Sequence, residues 1–121
     1  MIVSAPFDPI SANTNKRVTV YSVTWDAYHQ ETRELLGDNL PARVVYEVDK
    51  SRMYRPDKSR ADTVIYSLVI YISAVGAGKD ILEALKIGDV VIVDGEEYRI
   101  VDIYKGYHLA GDIAHIKATL A

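Results

Sequence analysis

Few residues in this chain have the types and spacing that covalent chemistry needs. The 121 residues contain no cysteine, which excludes a thiol nucleophile, a cysteine zinc site and a disulfide scaffold within them. The fragment GAGK at residues 76–79 lacks the length and the following hydroxyl residue of a phosphate-binding loop. No nucleophile elbow or zinc-protease motif occurs either. We therefore predict a protein that is not an enzyme, with no catalytic residue, no cofactor and no metal ligand.

Histidines and carboxylates form no strong site pattern. His108 and His115 could meet on paired strands and bind a metal ion together with Asp112. No H-x-H or H-x-x-x-H pair supports that hypothesis, so we interpret the histidines as surface or interface residues. Three carboxylates cluster at a tight turn, namely Asp94, Glu96 and Glu97. On a solvated turn they need no catalytic role.

A basic segment stands out in an otherwise acidic chain. Residues 50–60 contain five basic residues and one aspartate, a net charge of +4. The whole chain has a net charge of −3, which leaves −7 for the other residues. The basic side chains are Lys50, Arg52, Arg55, Lys58 and Arg60. The segment is either an ordinary solvated loop or a contact for phosphate groups.

The elements that would position this segment are predicted to be strands. Length, 49% apolar residues and 26% charged residues are typical of one soluble domain. No stretch approaches the length of a membrane helix, and the N-terminus has no secretory-signal pattern. Runs rich in β-branched and aromatic residues predict strands over residues 17–25, 42–49, 63–73, 89–94, 97–105 and 112–120.

Turn signals between these runs indicate the connections. Asp94-Gly95 predicts a two-residue hairpin turn. Residues 26–40 are interpreted as either a helical turn ended by Gly37 or a hairpin loop. Residues 74–78 are interpreted as a turn and residues 79–86 as a short helix. Without βαβ alternation, we predict an all-β fold, a small barrel of about six strands with at most one short helix, or a compact sandwich.

Two features favour self-association. The strand predicted at residues 63–73 is apolar on both faces, and Ile65, Val69 and Tyr71 form its second face. That face is covered by another subunit or by a second layer of a sandwich. Residues 1–16 are predicted to be an extended arm that contacts a neighbour through Phe7 and Ile10, which leaves residues 17–121 as a single barrel domain.

The order of motifs resembles one family. An R-[VI]-T-[VI] strand opens at Arg17 and is followed by Asp26. A D-x-[VI] strand begins at Asp89, a D-G turn follows, and a Y-x-[VI] strand begins at Tyr98. Over residues 16–120 this arrangement resembles the small head–tail joining proteins of tailed bacteriophages, of the head-completion or stopper type. The chain departs from that pattern in its longer connection after Asp26 and its arm before Arg17.

The resemblance implies a structural protein of the virion neck, assembled in the host cytoplasm without a membrane. Such proteins form a homo-oligomeric ring below the portal, close the DNA-filled head and provide the docking surface for the tail. The implied partners are further copies, a portal or adaptor protein above, a tail protein below and packaged double-stranded DNA. The basic segment would then line the channel and contact DNA phosphates without sequence specificity.

Two other functions remain open from the sequence. One is a different phage assembly barrel, in the tail or baseplate. The other is an OB-like nucleic-acid-binding barrel, which needs a basic sheet face with exposed aromatic residues for base stacking. The basic residues here are concentrated in one segment instead of on strand faces.

Overall fold

The computed structural model, described here for residues 13–48 and 66–121, is a closed barrel of antiparallel strands. Its strands are β1 (Lys16–Trp25), β2 (Glu31–Val48), β3 (Tyr66–Ser73), β4 (Val90–Val93), β5 (Glu96–Tyr107) and β6 (Ile113–Leu120). Helices α1 (Ala74–Ala77) and α2 (Lys79–Ala84) lie between β3 and β4. The strand order is β1-β2-β3-β6-β5-β4, and β4 pairs with β1 to close the barrel. The predicted six-stranded β-barrel is confirmed, with one more short helix than expected because residues 74–77 are helical.

Alternate residues of the strands fill the barrel interior. Leu68, Ile70 and Ile72 of β3 belong to the core, as the alternation of the sequence predicts. Helix α2 and the residue after it close one end, where Leu82 and Leu85 are almost fully buried. The helices therefore act as a plug for the core.

The connection between β1 and β2 is a hairpin, so the helical interpretation of residues 26–40 is wrong. The Asp26 carboxylate accepts hydrogen bonds from the backbone N–H groups of Tyr28 and Gln30, which forms the turn. Gly37 does not end a helix but lies within β2, opposite Val20. A Cβ atom there would lie 2.8 Å from Leu40 Cδ1, so glycine leaves room for the Leu40 side chain to pack at this point.

The turn between β4 and β5 has the geometry that its sequence predicts. Asp94 and Gly95 have φ angles of 52° and 81°. Two successive positive φ angles are the requirement of a type I′ hairpin turn. This turn fixes the register of β4 and β5, in which Val93 pairs with Glu96.

Asp89 is a buried carboxylate immediately before β4. It is 0% exposed and accepts hydrogen bonds from the backbone N–H groups of Val23, at 3.1 Å, and Lys86, at 3.0 Å. The Lys86 ammonium lies 2.7 Å from the same carboxylate. Asp89 thus connects β1, the turn after α2 and the start of β4. These bonds explain why an aspartate stands at the first position of the D-x-[VI] motif.

Replacing Asp89 by alanine is expected to destabilise the fold strongly. The change leaves two backbone N–H groups without acceptors and removes the counterion of Lys86, a loss of about 3 kcal/mol in the free energy of unfolding. Urea denaturation followed by circular dichroism measures it. Asp112→Ala is the matched control, because that carboxylate is 59% exposed in its ion pair with Lys79 and should contribute under about 1 kcal/mol. Equal losses for the two variants would contradict the role given to Asp89.

Candidate functional site

Most side chains predicted to make functional contacts lie outside the described residues. These are Phe7, Ile10, Lys50, Arg52, Arg55, Lys58, Arg60 and Ile65. Val69 and Tyr71 are described, and both lie on β3. For the eight residues outside the described ranges, the structure shows where their parts of the chain are connected to the barrel.

The N-terminal segment, residues 1–12, and the segment that contains the basic residues, residues 49–65, are connected to strands at the same end of the barrel. We call this end the open end. β1 begins there at Lys16, β2 ends there at Val48 and β3 begins there at Tyr66. The antiparallel registers fix this arrangement, since Val48 pairs with Tyr66 and the start of β1 pairs with the end of β4. The helices and the β1–β2 and β5–β6 turns lie at the opposite end, which we call the helical end. One end of the barrel therefore carries the connections to the N-terminal and basic segments, and the other end carries the helices and two of the turns.

A pocket of about 320 Å³ lies at the open end. Its lining combines aliphatic, aromatic and charged residues, namely Lys16, Val44, Tyr46, Leu68, Val93, Asp94, Glu96 and Tyr98. The Lys16 ammonium lies 2.6 Å from the Asp94 carboxylate. The Tyr98 hydroxyl donates to Glu96, at 2.9 Å, and this bond raises the pKa of Tyr98. Asp94 and Glu96 of the predicted carboxylate cluster therefore have separate partners, Lys16 and Tyr98.

The outward face of β3 is already covered in a single chain. Val69 is only 3% exposed although it lies outside the core cluster. Next to it, Tyr71 donates a hydrogen bond to Glu47, and Lys117 lies 3.2 Å from the same carboxylate. The Lys117 ammonium is also 5.7 Å from the centre of the Tyr71 ring, a cation–π distance. Burial of Val69 therefore does not require a second subunit, and the contact predicted for this face stays a prediction.

Glu47, Tyr71 and Lys117 on this face shift one another's pKa values. The hydrogen bond from Tyr71 lowers the pKa of Glu47, and Lys117 lowers it further. Burial and the neighbouring Glu47 carboxylate raise the pKa of Tyr71. The bond to Glu47 raises the pKa of Lys117. At neutral pH the cluster is an ion pair with a protonated tyrosine, which suits a structural role on the barrel surface.

A second charged network, on β2 and β5, was not predicted from the sequence. Arg33 forms two bonds to Glu97 and one to Glu31, and Arg99 also bonds Glu31. These bonds lower the pKa of both carboxyls and raise the pKa of Arg33. Arg33 and Glu97 are 64 positions apart, so no local spacing signals the contact. The network ties the β1–β2 hairpin to β5.

The histidine positions do not form a metal site in the part of the chain that the structure describes. No group of three or more His, Asp or Glu side chains there is placed to hold an ion. The His115 ring lies across Gly106, where an added Cβ would be 2.3 Å from it, and near the Tyr104 ring. The Asp112 carboxylate is paired with Lys79 instead.

Comparison with known proteins gives a distant structural neighbour. No protein-family model and no curated protein sequence matches the chain. Among solved structures, the chain is similar to protein xkdH of the phage-like element PBSX from Bacillus subtilis. The identity is 13%, the match covers 87% of this chain and 92% of that chain, and the TM-score is 0.42. A likeness at this level does not transfer a function from one chain to the other.

Among the described residues, no helix has the length and apolar character needed to span a membrane.

Replacing Tyr71 by phenylalanine is expected to raise the pKa of Glu47 towards 4.5, the value of an unperturbed glutamate. A depressed carboxyl pKa stabilises the fold above the unfolded-state pKa, and that contribution is lost as the pH falls through the folded-state value. The variant should therefore lose less stability than the wild type when acidified below about pH 4.5. Carboxyl carbon NMR titration measures the pKa directly. Tyr104→Phe is the control, and an unchanged Glu47 pKa in Tyr71→Phe would refute the coupling.

Proposed function

We propose that the protein is a non-enzymatic structural component of a tailed-phage head–tail connector. It forms a homo-oligomeric ring below the portal, closes the DNA-filled head and offers a docking surface to the tail. Two observations support this role: the motif resemblance of the sequence, and the connection of the N-terminal and basic segments to one end of the barrel while the helices lie at the other. Its partners are further copies of the chain, the portal or adaptor protein, a tail protein and packaged DNA.

The observation that carries the proposal is the common anchoring of both long segments at the open end. β1 begins at Lys16, at that end. The basic segment lies in the chain between Val48, where β2 ends, and Tyr66, where β3 begins, and both of these residues are at the same end. A basic segment repeated around a ring axis concentrates positive potential in a narrow channel. On a single subunit the same charge is screened within about 8 Å at physiological salt. A ring with the open end towards its axis therefore gives the segment a function that a monomer does not.

The helical end supports a second contact surface. Exposed aromatic and aliphatic side chains lie on its turns, where Tyr28 is 83% exposed and Leu109 is fully exposed. Trp25 and Tyr107, which are also more than half exposed, lie at the ends of the adjacent strands. Exposed tyrosine and tryptophan are enriched in protein–protein interfaces. We assign this end to contacts with neighbouring proteins of the particle.

Neutralising part of the basic segment is expected to weaken DNA contact without loss of folding. Arg55→Ser combined with Lys58→Ser should reduce the salt dependence of DNA binding by the assembled ring, because each lost phosphate contact removes about 0.9 from the slope of log K against log salt. Filled heads carrying the variant should leak DNA. Lys79→Ser combined with Lys105→Ser removes the same charge at the helical end and serves as the control. Equal slopes for the two double variants would contradict the channel role.

A particle reconstruction tests the function itself. We expect density for several copies of this barrel in a ring directly below the portal. Isolated single copies would overturn the ring. A ring in the distal tail or baseplate would replace the connector by the other assembly role.

A further inference from the structure

One stretch of β2 at the open end has an edge that no strand of residues 13–48 and 66–121 pairs with. β1 pairs with β2 only as far as Lys16 opposite Ala42, whereas β2 continues to Val48. From Arg43 to Val48 the other edge of β2 pairs with β3. Within residues 13–48 and 66–121, no strand pairs with the remaining edge of this stretch. Six residues of a central strand thus become an edge strand at the barrel mouth.

The first backbone groups on that edge are occupied by a side chain. The Asn15 amide group donates to the Val44 carbonyl, at 2.9 Å, and its oxygen accepts from the Val44 N–H, at 2.7 Å. These two bonds show that the backbone groups of Val44 point away from β3. Because backbone groups alternate in direction along a strand, those of Tyr46 and Val48 point to the same open side.

An apolar ledge lies beside this edge. Tyr46, Val48 and Tyr66 share the face that becomes the core face deeper in the barrel, and they are 70%, 44% and 59% exposed. The pocket at the open end separates Tyr46 on β2 from Lys16 and Asp94 across the mouth. The lining residues come from β1, β2, β3, β4, the β4–β5 turn and β5, so the pocket is the mouth of the barrel interior beside the edge of β2. Inward-pointing side chains of a strand added to that edge would enter the pocket and cover the ledge.

The chain's own β1 does not supply that strand. At Asn15 the side chain, and not the next stretch of backbone, pairs with Val44. The described backbone of β1 and of the residues before it therefore pairs with β2 no further than Ala42. Residues 1–12 precede this point and could span about 40 Å when extended, enough to reach a neighbouring barrel.

We propose that the edge of β2 at Tyr46–Val48 accepts an extended strand from residues 1–12 of a second copy of this chain. Those residues are mainly apolar and carry Ile2, Val3, Phe7 and Ile10, which match the apolar ledge. The two prolines among them are tolerated because an added strand has one free edge. The basic segment contains few apolar residues, so it is a poor fit for the ledge. This inference rests on the proposed homo-oligomer and gives it a specific subunit contact.

Engineered disulfides test the contact without background, since the chain contains no cysteine. Val48→Cys is combined in turn with Val3→Cys, Phe7→Cys and Ile10→Cys, which samples the possible registers of the added strand. After mild oxidation of the assembled protein, at least one pair should give dimers and higher oligomers on a non-reducing gel. Thr32→Cys replaces Val48→Cys in the control, because Thr32 is an exposed residue of the same strand at the helical end.

Each outcome bears on the proposal. Intermolecular bands with Val48 and none with Thr32 support it. An intramolecular disulfide, seen as an oxidised monomer, would mean that the chain's own segment returns to the edge and would overturn exchange between copies. No disulfide at any of the three positions, or equal cross-linking to Thr32, would overturn the contact. A ring that lacks these disulfides refutes this inference alone, whereas cross-linked copies located outside a phage neck refute the connector function alone.

Discussion

Closure of the barrel depends on one buried carboxylate. β4 has only four residues, yet it joins β1 to β5 and completes the ring of strands. Asp89 lies directly before it and holds the backbone of Val23 and Lys86, so the start of β4 is fixed to its neighbour. The cost of burying this charge is offset by two backbone donors and one ammonium group. The alignment of the open end, including the Lys16–Asp94 ion pair, follows from the register fixed at this seam.

The sequence predicts those parts of the fold that depend on local patterns. Asp94-Gly95 has the turn chemistry of its hairpin, and the alternation in β3 assigns its core face correctly. β2 was harder to predict because Pro41 and helix-forming residues interrupt it, and only its pairing with β1 and β3 overrides those preferences. The bonds between Arg33 and Glu97 depend on the folded topology alone. Of the candidate site, the sequence predicts the segments but not the end of the barrel at which they join.

The outward face of β3 illustrates why two-faced apolarity alone is a weak signal for an interface. Long polar side chains from the flanking strands can cover a small apolar residue and keep their charged ends in water. Glu47 and Lys117 lie on the two strands that flank β3 and form an ion pair across it, and Tyr71 donates a hydrogen bond to Glu47. Covering this face with another subunit would desolvate an ion pair that is already satisfied, which disfavours it as the main contact. The two ends of the barrel are the better candidates for assembly contacts.

The open end carries the feature that a monomer would be expected to avoid. An exposed strand edge with apolar neighbours is a template for pairing with other chains, and proteins usually block it with charges, proline or a bulge. Here Asn15 blocks the edge at Val44, but the next positions bear Tyr46 and Val48 without a charge on the same face. The neighbouring charged residue, Glu47, forms its ion pair on the opposite face of β2. Among the described residues, this edge is protected at Val44 and apolar at Tyr46 and Val48, which favours selective pairing with one defined strand at a fixed distance from β1.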